Sequence, residues 1–197
     1  MKKKAIIFDL YDTLIEIQNK TKPYLYLLTH IETTQEITAK ELINHIMTND
    51  MDSTAFIRQL LDAGILKPTF VQLEFLRLLD EELETTSLIS GTYTALSRLK
   101  NSGYKLYVLS NLATPYKYPF YNLHLEKWID KAFFSCELKD KKPNESFFQK
   151  VLDYSGLNKE DLIMIGDNPI SDVQGALNFG IDTILKDKDL NLLTQHL

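Results

Sequence analysis

A-I-I-F-D-L-Y-D-T-L, residues 5–14, is the stretch on which the fold turns. Its first four residues, Ala5 to Phe8, are an unbroken apolar run, and Asp9 follows at once. A strand with one wet face alternates apolar and polar residues; a strand covered on both faces does not. Ala5–Phe8 therefore reads as a buried strand of a parallel sheet. Asp9 lies at its carboxyl end, with Asp12 three residues on and the bulky Tyr11 between them. Ligands of such sheets collect beyond the carboxyl ends of the strands.

Working outward, four more runs have the same character: Y-K-L-Y-V-L-S (104–110), K-A-F-F-S (131–135), L-I-M-I-G-D (162–167) and D-T-I-L-K (182–186). Helical patterns separate them, at 92–100, 144–154 and 171–180, with Gly180 as a stop and Ser171 as the expected N-cap of the last. Gly103 sits where a helix ends before the next strand. Strand alternating with helix predicts an α/β fold, a Rossmann-like doubly wound parallel sheet.

Residues 16–87 break the alternation. They carry little β signal and several amphipathic helical patterns, including one over 69–83. Thr38 and Glu41 form a T-x-x-E capping box, and Ser53 is the expected cap of A-F-I-R-Q-L-L. A crossover this long exceeds an ordinary strand–helix link. The expected organisation is a core of residues 1–15 and 88–197 with a helical cap inserted at 16–87.

The 197 residues are 44% hydrophobic and 25% charged, an ordinary globular composition with room for one core and a subdomain. A net charge of -5 without a basic stripe argues against nucleic acid as a partner. Cys136 is the only cysteine, so the sequence holds neither a disulfide nor a thiolate metal cluster. His30, His45, His124 and His196 show no metal-ligand spacing. Asp9 interrupts the apolar stretch after the basic start, so no signal and no membrane span is expected, and the location expected is cytoplasmic. The oligomeric state is left open.

Polar residues fall at the carboxyl ends of four of the runs. Asp9, Tyr11, Asp12 and Thr13 follow the first, Ser110 and Asn111 end the second, Lys141 and Lys142 precede Pro143 after the third, and Asp167 and Asp172 follow the fourth. Carboxylates, a hydroxyl and a lysine converging on one point suit Mg²⁺ and a phosphate group. Hard oxygen ligands hold the cation, and the lysine and hydroxyl meet the remaining oxygens.

These motifs resemble the haloacid dehalogenase superfamily of hydrolases over essentially the whole chain. D-x-x-x-T-L at Asp9–Leu14, hydrophobic-S-N at Leu109–Asn111, K-P at Lys142–Pro143 and G-D-x-x-x-x-D at Gly166–Asp172 occur in the family's order. The resemblance implies that Asp9 is the nucleophile of an aspartyl intermediate and that Lys142 orients it. It further implies that Ser110, Asn111, Lys142 and Thr13 contact the phosphoryl group or its loop. Mg²⁺ would be held by Asp9, Asp167, Asp172 and the main-chain carbonyl of Tyr11. A small phosphorylated metabolite is the implied substrate.

One position departs from the pattern. Phosphatases of the superfamily usually carry a second aspartate two residues after the nucleophile, as the acid and base for the leaving alcohol and the water. Here Tyr11 stands there, and a phenol, with an ordinary pKa of about 10, is a poor base at neutral pH. Tyr11 as a weak proton donor, and rescue by Asp12, are both open at this level. A tyrosine at this place resembles the metal-independent 2-haloacid dehalogenases, whereas the retained Asp167 resembles the phosphatases. Three readings follow: a Mg²⁺-dependent phosphatase slowed by Tyr11, a non-catalytic Mg²⁺- and phosphate-binding module, and a 2-haloacid dehalogenase.

Overall fold

The computed structural model describes residues 3–32, 38–187, 189–195 and 197; His196 and the residues at 33–37 lie outside them. The elements run β1 (Ala5–Phe8), β2 (Ile15–Ile17), α1 (Pro23–Thr29), α2 (Ala39–Met47), α3 (Ser53–Asp62), α4 (Gln72–Glu84), β3 (Thr86–Leu88), α5 (Thr92–Asn101) and β4 (Lys105–Ser110). The chain continues through α6 (Tyr118–Asn122), β5 (Lys131–Phe134), α7 (Ser135–Leu138), α8 (Glu145–Ser155), β6 (Leu162–Gly166), α9 (Gly175–Phe179), β7 (Asp182–Leu185) and α10 (Leu190–Thr194).

Five strands form one parallel sheet in the order β5-β4-β1-β6-β7. β1 is central, and each of its four residues is fully buried. Alternation along the strands sends side chains to two separate cores. Ile6, Phe8, Leu106, Val108, Ile163 and Ile165 pack on one face, against Ala95, Leu96 and Leu99 of α5. Ala5, Ile7, Tyr107, Leu109, Leu162 and Met164 pack on the other, against Phe147, Phe148 and Val151 of α8 and Phe179 of α9. Both faces are covered, which is why the runs are continuously apolar.

α1 to α4 lie between β2 and β3 and have a core of their own, built on Leu27, Leu42, Phe56, Ile57, Phe75 and Leu79. The Thr38–Glu41 capping box forms as expected. The cap of α3 is Asp52 rather than Ser53: its carboxylate accepts from the Thr54 and Ala55 main-chain N–H groups. Ser53 is instead the first helical residue, and buried. The segment also contains strand structure that its sequence did not announce. β2 and β3 pair antiparallel, with Ile15 opposite Leu88 and Ile17 opposite Thr86, so the chain leaves and re-enters the α/β sheet region along one short ribbon. Three-residue strands are too short to display a period. Among the described residues no helix is long and apolar enough to cross a membrane.

Phe148 is fully buried and stacks on Phe179 with ring centroids 5.8 Å apart. Phe148→Ala leaves a cavity beneath the sheet and is expected to cost ~3–5 kcal/mol. Urea unfolding followed by circular dichroism checks this: the midpoint falls while the slope is retained.

Candidate active site

The parallel register brings the carboxyl ends of β1, β4 and β6 side by side. Phe8 pairs with Val108 on one side and Ile165 on the other. The ladder reaches one residue further, since the Asp9 N–H donates to the Ile165 carbonyl at 2.9 Å. Asp9 therefore stands next to the end of β6, where Gly166 and Asp167 follow, and Ser110 closes β4, buried, on its other flank.

Lys142 reaches this point from the turn before α8. Its ammonium lies 2.8 Å from Asp9 Oδ1 and 2.8 Å from Asp172 Oδ1, with 1% of its side chain exposed. The main chain of Lys142 is held as firmly. Asn111 Nδ2 donates to the Lys142 carbonyl and the Lys142 N–H donates to Asn111 Oδ1, each at 2.8 Å. Asn111, a candidate for substrate contact, thus uses one donor and one acceptor of its amide to hold the Lys142 main chain.

Asp172 is fully buried, and both its oxygens are engaged. Oδ1 accepts from Lys142 and from the Ser171 hydroxyl at 3.2 Å, and Oδ2 from the Asn168 N–H at 3.0 Å. It reaches the site from a π-helical turn, Pro169–Gln174, that leads into α9. The expected cap Ser171 does not start this turn. Asn168 does, its side-chain oxygen accepting from the Ile170 and Ser171 N–H groups, with Pro169 following. Gly166 makes the close approach possible, because a Cβ there would overlap the Asp172 carboxyl.

Asp9, Asp167 and Asp172 each offer a carboxylate oxygen within 4.8 Å of the others. Electrostatics follow from this crowding. Burial raises the Asp9 pKa; attraction to Lys142 opposes it, Asp172 adds to it, and the balance stays above the ordinary value. Burial, then repulsion by Asp9 and Asp172, pushes Asp167 up to about 6. Burial acts to discharge Lys142, but the two carboxylates outweigh it and raise its pKa, so it is an ammonium. Three carboxylates facing one ammonium leave an excess of negative charge, and hard oxygen donors around such an excess fit a divalent cation such as Mg²⁺.

The remaining expected residues are spread around this centre. Thr13 is buried, and its hydroxyl points at Asp167 Oδ1 at a long 3.5 Å. Asp12 adopts φ 53° and forms an exposed ion pair with Lys20 at 3.2 Å. The Tyr11 hydroxyl donates to the Tyr116 carbonyl at 2.9 Å, and its ring meets the Tyr116 ring edge-on. Burial raises the Tyr11 pKa well above the usual phenol range. Its hydroxyl is thus engaged with a main-chain carbonyl, and burial disfavours its ionised form.

Several supporting residues escaped the reading of the sequence. Ser135 clamps the loop after β4, its hydroxyl accepting from the Leu112 N–H and donating to the Leu112 carbonyl. Glu82 of α4 is buried and accepts from the Tyr116 hydroxyl at 2.5 Å and the Lys22 N–H at 2.7 Å. A lone glutamate on an amphipathic helix carries no local signal for that role. Asn168, directly before Pro169, did carry one.

A family model described as haloacid dehalogenase-like hydrolase matches residues 6–186, and the chain belongs to that family. Among curated relatives it is 34% identical over 98 residues to the pyrimidine 5'-nucleotidase PynA of Streptococcus pneumoniae, covering 49% of this chain and 41% of that protein. It is 26% identical to the glyceraldehyde 3-phosphate phosphatase of Methanothermobacter thermautotrophicus, over 95% of this chain and 87% of the relative. The chain thus spans less than half the length of the first of these and most of the second. Its fold is that of a haloacid dehalogenase family enzyme from Bacteroides thetaiotaomicron solved with magnesium and inorganic phosphate. The TM-score is 0.71 at 18% identity, with 97% of this chain and 98% of the other covered.

The Asp167 shift sets a pH dependence. Between the ordinary carboxyl value of 3.8 and about 6, the folded chain keeps a proton that the unfolded chain has released. Asp167 therefore subtracts stability progressively as pH rises through that window, and the deficit is complete above it. In metal-free buffer Asp167→Asn is expected to melt higher than the parent at about pH 8 and to lose that lead near about pH 4. Thermal melts of the two proteins across this range check the sign.

Proposed function

We propose that this chain is a Mg²⁺-dependent phosphatase that transfers the phosphoryl group of a small metabolite to Asp9. The observation that carries this reading is the Lys142 ammonium held 2.8 Å from both Asp9 Oδ1 and Asp172 Oδ1, with the Asp167 carboxylate alongside. Names of curated relatives, a nucleotidase and a sugar phosphate phosphatase, agree with a phosphomonoester substrate.

In this reading an Asp9 oxygen attacks phosphorus, the bond to the ester oxygen breaks, and that oxygen leaves with the electron pair, taking a proton from solvent to become the alcohol. Water then attacks the aspartyl phosphate, releasing inorganic phosphate and restoring the carboxylate. Lys142 fixes the attacking carboxylate and neutralises charge that gathers on the phosphoryl oxygens, and the Ser110 hydroxyl would donate to one of them. Mg²⁺, when bound, offsets the negative charge shared by phosphate and carboxylate. Asp9 and Asp167, with the main-chain carbonyl of Tyr11, would hold it. Asp172, with both oxygens already accepting hydrogen bonds, serves chiefly to hold Lys142. The helices of residues 16–87 act as the cap that covers the site, in a cytoplasmic enzyme.

Tyr11 limits the rate. With a phenol in place of a carboxyl group, and its hydroxyl donating to the Tyr116 carbonyl, neither the leaving alcohol nor the water has the usual acid–base group beside it. Loss of a placed acid–base typically costs about 10²- to 10⁴-fold. The same hydrogen bond favours a second reading, a module that binds Mg²⁺ and phosphate without turnover. The dehalogenase reading has less support, because Asp167 crowds Asp9 with a charge that a metal-free site would leave uncompensated.

Tyr11→Asp is expected to raise phosphomonoester hydrolysis by about 10²-fold or more. EDTA should abolish that activity and Asp9→Asn should remove it. Steady-state release of inorganic phosphate measures all three. Activity indifferent to EDTA would remove the metal-dependent reading, and binding of beryllium fluoride by a protein inert even as Tyr11→Asp would establish the second one.

A further inference from the structure

A cavity of about 320 Å³ opens beside the loop that follows Asp9. One wall comes from Tyr11 and the segment after Asn111; Tyr24, Ile43, Ile46 and Met47 of α1 and α2 form the opposite one. Its size is at the lower end for ligand pockets, enough for a ring and a short tether.

Several polar groups of its walls are turned on one another, while Lys22 and Asn111 also line it. Tyr11 donates to the Tyr116 carbonyl, the Tyr116 hydroxyl donates to Glu82, and the other oxygen of Glu82 accepts from the Lys22 N–H. At the mouth Asp12 and Lys20 form an ion pair with each other. Beside Lys22 and Asn111, what the walls present is chiefly rings and aliphatic carbon. The Tyr24 ring is fixed by an edge contact with Phe75 at 5.4 Å and lies 6.0 Å from Tyr116.

A leaving group rich in hydroxyls would surrender its water here and find Tyr11, Tyr116 and Glu82 already engaged with one another. A flat apolar group would exchange water for ring and methyl contacts. We propose that this cavity receives the leaving group of the phosphomonoester and that the group is a flat aromatic body, of the benzyl class, rather than a polyol. The inference rests on the reading of Asp9 and Lys142 as a phosphoryl site and adds the chemistry of the group beyond it.

Calorimetric titration with non-hydrolysable phosphonates in the presence of Mg²⁺ tests it without relying on turnover. Benzylphosphonate is expected to bind at least about tenfold more tightly than 2,3-dihydroxypropylphosphonate, the effect of about two buried methylene equivalents. Ile43→Trp, which fills the aliphatic wall, should bring that ratio towards one. Equal or tighter binding of the dihydroxypropyl compound overturns the inference while leaving the phosphoryl site intact. Failure of both compounds and of inorganic phosphate to bind overturns the site itself, which separates the two failures.

Discussion

The structure depends on one buried cation. The Lys142 ammonium lies almost wholly out of water between Asp9 and Asp172. Removing an ion from water costs several kcal/mol even after relaxation, and a buried pair commonly does no better for stability than an apolar substitute. Its value is geometric. With the ammonium in place, Asp9 has one orientation, and Asp172 cannot swing towards it. Most of the site's other polar groups hold this triad: Asn111 fixes the lysine main chain, Asn168 caps the turn that delivers Asp172, and Gly166 leaves room for its carboxyl.

The sheet explains why these groups meet. β1 is flanked by β4 and β6 in parallel, so three carboxyl ends open at one edge. Ser110 ends its strand and Asp9 and Asp167 directly follow theirs, so all three stand at that edge with little freedom. Lys142 and Asp172 come from further along the chain, and both need a dedicated clamp. The helical segment is fastened to the same edge. Tyr116 joins Tyr11 to Glu82, while Thr114 and Lys117 both contact Asp50, at 2.9 and 3.2 Å. Tyr11, Glu82 and Tyr116 also line the cavity beside the loop after Asp9.

Much of the core was legible because its signals are local. Runs such as Ala5–Phe8 and Leu162–Gly166 are apolar throughout, and their covered faces demand that. The capping box at Thr38 and the stop at Gly180 are equally local; Gly180 adopts φ 94°. Errors arose where neighbours compete for one task. Asp52 and Ser53 both suit an N-cap, as do Asn168 and Ser171, and backbone geometry rather than composition chose between them. β2 and β3 went unread because each is held by the other across roughly seventy residues of chain, with no period of its own.

The sequence by itself determined the alternation of strand and helix, the helical character of the segment after β1, and the set of chemically capable side chains at the strand ends. Those follow from periodicity and from residue type, which the chain carries position by position. Tertiary structure alone decided what each group is free to do: that the Asn111 amide bonds the main chain of Lys142, that Asp172 is surrounded by donors, and that the Tyr11 hydroxyl donates to the Tyr116 carbonyl. Such facts depend on distances between residues far apart in the chain. A hydrogen bond that forms or fails over a few tenths of an ångström leaves no trace in the order of amino acids.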